Sequence, residues 1–242
     1  MTDPAFAPTV PDGPSPWQPA EVTAIRVETA NAKTFRLRPA APLPHLPGQH
    51  YVVRLTAPDG YTASRSYSLA SPPDPSGEVE ITVERLPDGE VSGYLHEGVE
   101  VGDELEVRGP IGRWFVWDGS APAVLVGGGS GVVPLMAMLR HARNLDRSDL
   151  VRLVVSIRTP SDLYYRGEIE GPETTIVHTR VAPPGSARPA GHLALADLPT
   201  IDPAATVFVC GSNGFADATT TLLAAAGVAV DRIRVERFGA TG

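Results

Sequence analysis

The sequence predicts a two-domain protein in which an antiparallel β-barrel is followed by an α/β domain built on a doubly wound parallel sheet. Up to residue 118, short segments rich in β-branched residues are separated by proline, glycine and aspartate, which is typical of an antiparallel barrel or sandwich. After Asp118, apolar segments of four to seven residues alternate with amphipathic stretches, which is typical of parallel strands connected by helices. We therefore expect residues 17–118 and 119–242 to form separate domains, joined at Asp118–Ala121.

The composition excludes several classes of function. A formal net charge of −8 gives no general attraction to nucleic acid or to an anionic membrane. The one cysteine, Cys210, excludes an internal disulfide, a zinc site made of thiolates and an iron–sulfur cluster held by these residues. With 42% hydrophobic residues, the 242-residue chain has enough apolar material for two cores. We expect a monomer without a metal site that binds neither nucleic acid nor membrane.

The first domain is expected to follow a short leader. Residues 1–16 lack periodicity and are rich in proline, alanine and aspartate, so we expect them to be disordered. They carry acid and proline where a secretion signal would carry basic and then apolar residues, which predicts a cytoplasmic protein. Six strands are then predicted, at VTAIRVET, KTFRLRP, HYVVRLT, SRSYSLA, EVEITVERL and DELEVRGP. Between the last two, VSGYLHEG is compatible with a short helix and is closed by glycine.

The second domain is predicted to alternate strands with helices. Its five apolar strands are AVLVG, VRLVVSI, TTIVHTR, TVFVC and RIRVERF. Helices are predicted at VPLMAMLRHAR, around DLYYRGEIE and at FADATTTLLAAAG. The uncharged stretch between Asp118 and Arg140 is not a membrane span, because several glycines and Pro134 interrupt its middle.

The first strand of the second domain runs into a glycine-rich turn, VGGGSGVVP, that suits a bound phosphate. Glycines let backbone amides approach an anion, and the positive end of the following helix favours its charge. The string does not match the G-x-G-x-x-G dinucleotide fingerprint, because Val132 stands at its last position. A tight strand-to-helix turn without a ligand is the alternative.

Two strings in the first domain also have two interpretations. RSYSLAS places Arg65, Tyr67 and Ser68 on one strand, where a cationic fork, an aromatic ring and a hydroxyl suit a phosphorylated aromatic cofactor. An ordinary edge strand is the alternative. GEVSGYLH places Gly89 and Ser92 at a helix start, with Ser92 as the cap, so that the helix amides would meet a second phosphate. The alternative is a capped helix in a loop.

Cys210 lies in VFVCGSNGF, which ends the fourth strand of the second domain. Ligand crevices form at this edge, where the carboxyl ends of parallel strands gather. Cys210 is therefore either a small buried hydrophobic residue or a contact for a ligand ring, and the residues leave both interpretations open.

The order of these strings resembles the ferredoxin-NADP⁺ reductase family of flavoproteins. RSYS, ITVER, GEVSGYLH, VGDELEVRGPIG, GGGSGVVP, CGSNGF and ERFG follow one another at the family's spacing between Glu21 and Gly239. Each string alone is weak, whereas their conjunction is specific. The resemblance implies an oxidoreductase that binds FAD in preference to FMN and takes hydride from a nicotinamide dinucleotide, without an attached iron–sulfur or globin domain.

The resemblance also implies which residues bind the flavin. By similarity, Arg65 faces the pyrophosphate, Tyr67 packs on the isoalloxazine ring and Ser68 forms a hydrogen bond near flavin N5. The other residues that the resemblance assigns to the flavin are Ser66, Val83, Arg85, Gly89, Glu90, Val91, Ser92 and Phe238.

The nicotinamide dinucleotide is assigned to the second domain. The residues implied for its pyrophosphate are Gly128, Gly129, Ser130 and Gly131, with Pro134 starting the helix. Cys210 and Gly211 match the family's C-G pair beside the nicotinamide. The following string departs from the family's common P-P and methionine, and Phe215 stands near the usual methionine.

Glu236 completes the implied catalytic group, with Ser68, Tyr67 and Cys210. It belongs to the C-terminal E-R-F-G string, which lies by the flavin in many bacterial relatives. An exposed acid on a last buried strand is the alternative for Glu236.

The sequence indicates the preferred dinucleotide and the electron acceptor less directly. Arg158 follows the second strand of the second domain, where an arginine suits the 2′-phosphate of NADPH, so we predict NADPH over NADH, with Arg166 assisting. The protein's own task is to position the two cofactors. Because these residues cannot hold a cluster, we expect a separate electron acceptor, such as a ferredoxin or an oxygenase or cytochrome component. A free-flavin reductase supplying a monooxygenase, an FMN enzyme and a non-catalytic nucleotide-binding subunit are the alternatives, and the sequence does not identify the acceptor.

Overall fold

A computed structural model describes residues 15–239 of the chain. It contains a six-stranded antiparallel sheet followed by a five-stranded parallel sheet, which confirms the predicted fold class. Most of the predicted leader, residues 1–14, lies outside the described residues.

The first domain is an antiparallel barrel. Its strands are β1 (Gln18–Thr29), β2 (Ala32–Pro39), β3 (His50–Thr56), β4 (Thr62–Ser68), β5 (Val79–Glu84) and β6 (Glu104–Ile111), with helix α1 (Glu90–Glu97) between β5 and β6. They are ordered β4-β3-β6-β1-β2-β5 in the sheet. A bridge between Leu69 and Ile81 brings the end of β4 onto β5 and closes the sheet.

Alternating side chains build the core of the barrel. On β3, Tyr51 and Val53 are fully buried, whereas the intervening Val52 is only partly buried. β5 differs, because Glu80 and Thr82 are buried together with the apolar residues between them. This strand is therefore covered on both faces, by the barrel core on one side and by the second domain on the other.

The second domain follows a strand-then-helix order. Its elements are β7 (Ala123–Gly128), α2 (Val132–Asn144), β8 (Val151–Ile157), β9 (Thr174–His178), β10 (Thr206–Ser212), α3 (Asn213–Ala225) and β11 (Ile233–Phe238). All neighbouring strands are parallel, in the order β11-β10-β7-β8-β9. Val207, Phe208 and Val209 of β10 form a continuous apolar run because they are buried between helices on the two faces of the sheet.

The helix predicted around DLYYRGEIE is wrong. The chain forms a 3-10 turn at Pro160–Asp162 and then a series of turns, residues 163–169, which we call the interdomain turn. Tyr165 has a φ of +54°, a left-handed conformation that no helix interior accepts. Its backbone N–H donates to Glu28 of β1 at 2.8 Å, so this amide bonds the barrel instead of a carbonyl of a preceding helical turn.

The two domains share a continuous apolar core. Ala32 and Ala70 of the barrel belong to the same buried cluster as Val132 and Met136 of α2. Trp117, in the segment that joins the domains, is also buried in this cluster. Among residues 15–239, none of the helices has the length and apolar character needed to cross a membrane.

Candidate functional site

Ser68 ends β4 at the face of the barrel that meets the second domain. Its side chain is buried, and its Oγ forms no hydrogen bond with any residue in the described part of the chain. A buried hydroxyl without a partner costs about 1–3 kcal/mol. Two residues further on, the carbonyl of Ala70 accepts a hydrogen bond from Arg140 of α2 at 2.9 Å, which fixes the end of β4 against the second domain.

The two preceding functional residues of β4 lie in a more open position. Tyr67 packs partly against the barrel core, and burial raises the pKa of its phenol to about 12, so that it stays a neutral donor. Arg65 is exposed, and among the described residues its guanidinium donates to the Ser64 carbonyl at 2.7 Å. Ser66 is exposed as well. The strand thus presents a ring and a cation side by side.

Gly89 precedes α1 as its N-cap, but the prediction that Ser92 caps the helix is wrong. Ser92 Oγ accepts a hydrogen bond from the backbone N of Leu86 and donates to the Gly89 carbonyl, both at 3.2 Å. It ties together the turn before the helix. No side chain of residues 15–239 caps α1, so the amides of the first turn, which starts at Glu90, keep their capacity to bind an anion.

Three further residues that the resemblance assigns to the flavin are Val83, Val91 and Arg85. Val83 and Val91 are 0% and 1% exposed in the barrel core, so only their backbone can reach a ligand. The Val83 carbonyl is bonded to Nε2 of His96 at 2.9 Å. Arg85 forms an exposed ion pair with Glu97, and such pairs are weak enough to exchange partners.

The glycine-rich turn joins β7 to α2 through a 3-10 turn at Gly129–Gly131. A Cβ added to Gly131 would lie 2.1 Å from the Cys210 carbonyl oxygen, so only glycine fits between the turn and β10. Gly129 has a φ of +56°, and a Cβ there would meet no described residue within 4 Å. The turn is therefore packed against β10 on one side and open on the other, where its backbone can approach an anion.

Two neighbours of this turn are placed as follows. Ser130 is partly exposed on its open side. Pro134 is the third residue of α2 rather than its first, and it is buried.

Phe215 covers the glycine-rich turn from the start of α3. A Cβ on Gly128 would lie 2.6 Å from its ring, and one on Gly211 would lie 2.7 Å from it. Ser212 caps α3 by accepting a hydrogen bond from the Phe215 amide at 3.3 Å, which fixes this position. The string that departs from the family pattern thus places an aromatic ring between the two glycine segments.

Cys210 and Glu236 are register neighbours on β10 and β11. Burial raises the pKa of the Cys210 thiol well above its ordinary value, and the Glu236 carboxylate adds to this, so the thiol stays protonated. Glu236 Oε2 is buried and has no partner among the described residues. Burial raises the pKa of Glu236 to about 7. Phe238, two residues later, packs against the shared apolar core.

Arg158 is brought beside a second arginine that the sequence interpretation missed. Its carbonyl accepts a hydrogen bond from the backbone N of Arg180 at 2.9 Å, and both residues are exposed. They follow β8 and β9, which are parallel neighbours, and the pattern of strand ends contained this signal. Arg166 is not brought to the pair in the same way: its guanidinium donates to the Pro160 carbonyl within its own segment.

His50 is a further residue that the sequence did not reveal. It lies directly opposite Ser68 in the pairing of β3 with β4 and is partly buried, and burial lowers its pKa. The register of two antiparallel strands determines this neighbour, and no motif in the sequence indicates it.

The site residues of both domains gather at one interface. The Leu69–Ile81 bridge joins the end of β4 to β5, and β5 contacts the glycine-rich turn. The same turn packs on Cys210, which lies beside Glu236. Ser68, Cys210 and the glycine-rich turn therefore border the same junction between the domains.

Comparisons with known proteins agree with this geometry. An oxidoreductase FAD-binding domain model matches residues 19–116, and an oxidoreductase NAD-binding domain model matches residues 125–221. The chain is 30% identical to the reductase component of propane 2-monooxygenase from Rhodococcus jostii and 36% identical to the glycine betaine monooxygenase reductase subunit from Chromohalobacter salexigens. These alignments cover 90% and 88% of this chain, but the chain spans only 62% of the length of either relative.

Solved structures show the same arrangement. The flavohem-like FAD/NAD-binding domain of nitric oxide dioxygenase from Vibrio cholerae superposes with a TM-score of 0.83 at 28% identity, covering 92% of this chain and 98% of that one. A ferredoxin reductase of carbazole 1,9a-dioxygenase superposes with a TM-score of 0.77 at 28% identity, covering 95% of this chain and 71% of that one.

A barrel that matches an FAD-binding domain, joined to a parallel sheet that matches an NAD-binding domain, defines the class of flavoprotein oxidoreductases that use pyridine nucleotides. Within this class, the chain belongs to the ferredoxin reductase-like family, which confirms the resemblance seen in the sequence.

The residues present fit a bound flavin. Ser68 Oγ and Glu236 Oε2 are buried polar atoms that lack a protein partner within residues 15–239, and one lies on β4 of the barrel and the other on β11 of the parallel sheet. A polar ligand ring would satisfy them. Arg65 and the uncapped first turn of α1 add positive potential for a pyrophosphate.

Proposed function

We propose that this chain takes hydride from NADPH onto FAD and passes the electrons to a separate acceptor of the oxygenase type. When bound, FAD supplies the chemistry, because it accepts a hydride and can release its electrons one at a time. The protein supplies binding, orientation and electrostatics. The single observation that carries the proposal is a pair of buried polar atoms without a hydrogen-bond partner among residues 15–239, Ser68 Oγ on β4 of the barrel and Glu236 Oε2 on β11 of the parallel sheet.

The barrel residues hold the flavin in this proposal. Arg65 would pair with the pyrophosphate, Tyr67 would pack on the isoalloxazine ring and Ser68 Oγ would donate a hydrogen bond to that ring. The backbone amides at the start of α1, after Gly89, would bind a second phosphate group of the cofactor. We propose residues 17–118 as this domain.

The second domain, residues 119–242, positions the nicotinamide. The open side of the glycine-rich turn binds the dinucleotide pyrophosphate through the backbone of Gly129–Gly131. Cys210 lies behind that turn as a neutral, buried thiol, so it shapes the pocket without adding charge. Glu236, with a pKa of about 7, can hold a proton beside the ring at neutral pH.

Arg158 and Arg180 support NADPH as the dinucleotide. Two exposed guanidinium groups on adjacent strand ends favour the dianionic 2′-phosphate over the ribose hydroxyl of NADH. Arg152 provides a matched control, because it is an exposed arginine at the other end of β8, bonded to the carbonyl oxygen of its own neighbour Asp149.

The dinucleotide assignment is tested by comparing kcat/KM for NADPH and NADH in the native protein and in the variants Arg158→Ala, Arg180→Ala and Arg152→Ala. We expect the NADPH preference to fall about tenfold in each of the first two variants, since one charged hydrogen bond contributes about 1.5–3 kcal/mol. We expect no change in the third. An unchanged ratio in Arg158→Ala and Arg180→Ala would remove the argument for NADPH.

The proposed electron acceptor lies outside these 242 residues. The 242 residues contain one cysteine, and it is buried, so they cannot provide the thiolates of an iron–sulfur cluster. Several curated relatives are reductase components of oxygenase systems, which supports an iron–sulfur protein or oxygenase component as the acceptor. We further propose that the protein is a cytoplasmic monomer.

The function is tested by reconstituting the purified chain with FAD and adding NADPH anaerobically. We expect a yellow protein that retains flavin through gel filtration and bleaches within seconds of mixing. The reduced, protein-bound flavin should then be reoxidised faster by an added ferredoxin than by free flavin in the same solution. A preparation that stays colourless with excess FAD, or that binds FAD but does not bleach, would overturn the proposal.

A further inference from the structure

The interdomain turn packs a tyrosine against the face of the barrel that meets the second domain. Tyr165 is only 2% exposed, although it belongs to a surface connection of the second domain. Its backbone N donates to Glu28 Oε2 of β1 at 2.8 Å, and its hydroxyl is bonded to Thr82 Oγ1 of β5 at 2.6 Å. One residue of the second domain is thus held by two strands of the first.

These contacts close into a ring of hydrogen bonds. Thr82 Oγ1 is bonded to Thr34 Oγ1 at 2.8 Å, and Thr34 Oγ1 donates to Glu28 Oε1 at 2.7 Å. The Glu28 carboxylate then returns to the Tyr165 amide through its other oxygen. Every member is buried or nearly so, and a satisfied buried network of this kind has one preferred geometry.

Charged side chains pack directly on this network of hydrogen bonds. Arg140 of α2 places its guanidinium 5.1 Å from the centre of the Tyr165 ring. Its Nη1 donates to Glu80 Oε2 of β5 at 2.8 Å, while Nε and Nη2 bind the two oxygens of Glu168 in the interdomain turn at 2.6 and 2.7 Å. The side chains of Arg140 and Glu80 are 12% and 8% exposed, so this ion pair is largely removed from water.

Glu80 is charged in this position. Burial alone would raise its pKa, but Arg140 and Arg36 outweigh the effect and hold the pKa below its ordinary value. A buried ion pair contributes little net stability, because desolvation offsets the attraction, but it strongly disfavours any arrangement that separates its members. Such a pair is suited to fixing an orientation.

Arg140 is bonded to elements that carry the groups assigned to both cofactors. Arg140 lies eight residues after Val132, the first residue of α2, a distance of about 12 Å along the helix axis. Its Nη1 also bonds the carbonyl of Ala70, two residues after Ser68. A tilt of α2 about this point would carry the glycine-rich turn, and any dinucleotide on it, away from the end of β4.

We propose that Tyr165, Arg140 and Glu80 form an interdomain anchor that positions the nicotinamide-binding sheet against the flavin-binding barrel and so sets the distance over which hydride passes. They are positioning residues, since none of them lies among the groups assigned to either cofactor. This inference rests on the proposed function.

The chain offers a matched control for Arg140. Arg143 lies three residues further along α2, and its guanidinium bonds Glu173 and the Glu168 carbonyl, both within the second domain. Arg140 and Arg143 therefore hold the same turn from the same helix, but of the two only Arg140 is also bonded to the barrel. The variants are Arg140→Met, Arg143→Met and the milder Tyr165→Phe, which keeps the ring and removes the hydroxyl.

The first measurement is amide hydrogen exchange of the cofactor-free chain, read by mass spectrometry. We expect exchange in barrel peptides covering residues 26–36 and 79–84 to accelerate about tenfold in Arg140→Met and more modestly in Tyr165→Phe. In Arg143→Met, faster exchange should be confined to the second domain. Equal protection of the barrel strands in all three variants would overturn the anchor itself.

The second measurement is anaerobic stopped-flow reduction of the FAD-loaded chain by NADPH. A displacement of about 1 Å between reacting groups can cost roughly a hundredfold in rate, so we expect the limiting rate of flavin reduction to fall between tenfold and a hundredfold in Arg140→Met. The dissociation constant for NADPH and the flavin midpoint potential should stay unchanged, as should all three quantities in Arg143→Met. Loosened barrel strands with an unaltered limiting rate would overturn the positioning role.

The two measurements separate the two proposals. A native chain that is never reduced by NADPH would overturn the proposed function, and with it the role of the anchor in hydride transfer. The hydrogen exchange result, which needs no cofactor, would still decide whether Tyr165 and Arg140 couple the domains.

Discussion

Replacing Glu236 by glutamine is expected to stabilise the cofactor-free protein in alkaline solution. The Glu236 carboxyl is largely removed from water, its Oε2 has no partner among the described residues, and burial raises its pKa to about 7. In the unfolded chain the same group has its ordinary pKa of 4.5. The folded state therefore holds a proton that the unfolded state has already released, and folding becomes less favourable as the pH rises.

The size of the effect follows from the two pKa values. Below pH 4.5 the carboxyl is protonated in both states and costs nothing. Between pH 4.5 and about 7 the free energy of unfolding falls, and above 7 the loss is complete. Each pKa unit corresponds to 1.36 kcal/mol, so the full loss is about 3 kcal/mol, of which about 2.5 kcal/mol falls between pH 5 and pH 8. Glutamine matches the neutral acid in shape and cannot ionise.

Urea unfolding of both proteins at pH 5 and pH 8 measures this difference. We expect similar stability at pH 5 and a variant about 2–3 kcal/mol more stable at pH 8. Burial also lowers the pKa values of the buried His45 and the partly buried His141, which act in the opposite direction but contribute equally to both proteins. A native protein and a Glu236→Gln variant that lose stability in parallel between these pH values would show that Glu236 is not buried as an uncompensated acid.

Three further predictions concern the site. Ser68→Ala removes a buried hydroxyl that has no partner in the described part of the chain, so the cofactor-free chain should keep its stability or gain up to about 1 kcal/mol in urea unfolding, while the limiting rate of flavin reduction falls about tenfold. Gly131→Ala places a methyl group 2.1 Å from the Cys210 carbonyl oxygen and should lower the free energy of unfolding by about 3 kcal/mol or more and abolish dinucleotide binding, whereas Gly214→Ala in α3, which meets nothing within 4 Å, should be neutral or slightly stabilising. Cys210 should resist a disulfide-exchange reagent in the folded protein and react fully in guanidinium, because its thiol is buried and its pKa is raised; rapid labelling of the native chain would contradict this.

Much of the fold was predictable because local patterns and tertiary structure agree. The six barrel strands and five parallel strands were found from β-branched periodicity and from turn residues such as those around Gly48 and Gly102, both of which have positive φ. The glycine-rich turn was recognisable because a close approach to β10 admits no side chain at Gly131.

The site was predictable only in part, because strand register is not written in a motif. Arg65, Tyr67 and Ser68 follow from one string, but His50 faces Ser68 through the pairing of β3 with β4. Arg180 meets Arg158 through the pairing of β9 with β8. Predicting either pair of neighbours requires the strand register, that is, which residue of one strand lies opposite which residue of the next.

The helix predicted around DLYYRGEIE, residues 162–170, is wrong for a different reason. DLYYRGEIE has the composition of an amphipathic helix, but the backbone amide and the hydroxyl of Tyr165 are bonded to Glu28 and Thr82 in the other domain. Local propensity favours a helix by a few tenths of a kilocalorie per residue, and several buried hydrogen bonds together with an ion pair readily exceed that preference. A segment whose helical pattern is overridden by contacts across a domain boundary is one whose sequence is constrained by that boundary. This is the physical reason to look for the control of cofactor geometry at Tyr165 and Arg140 as well as at the residues that touch the cofactors.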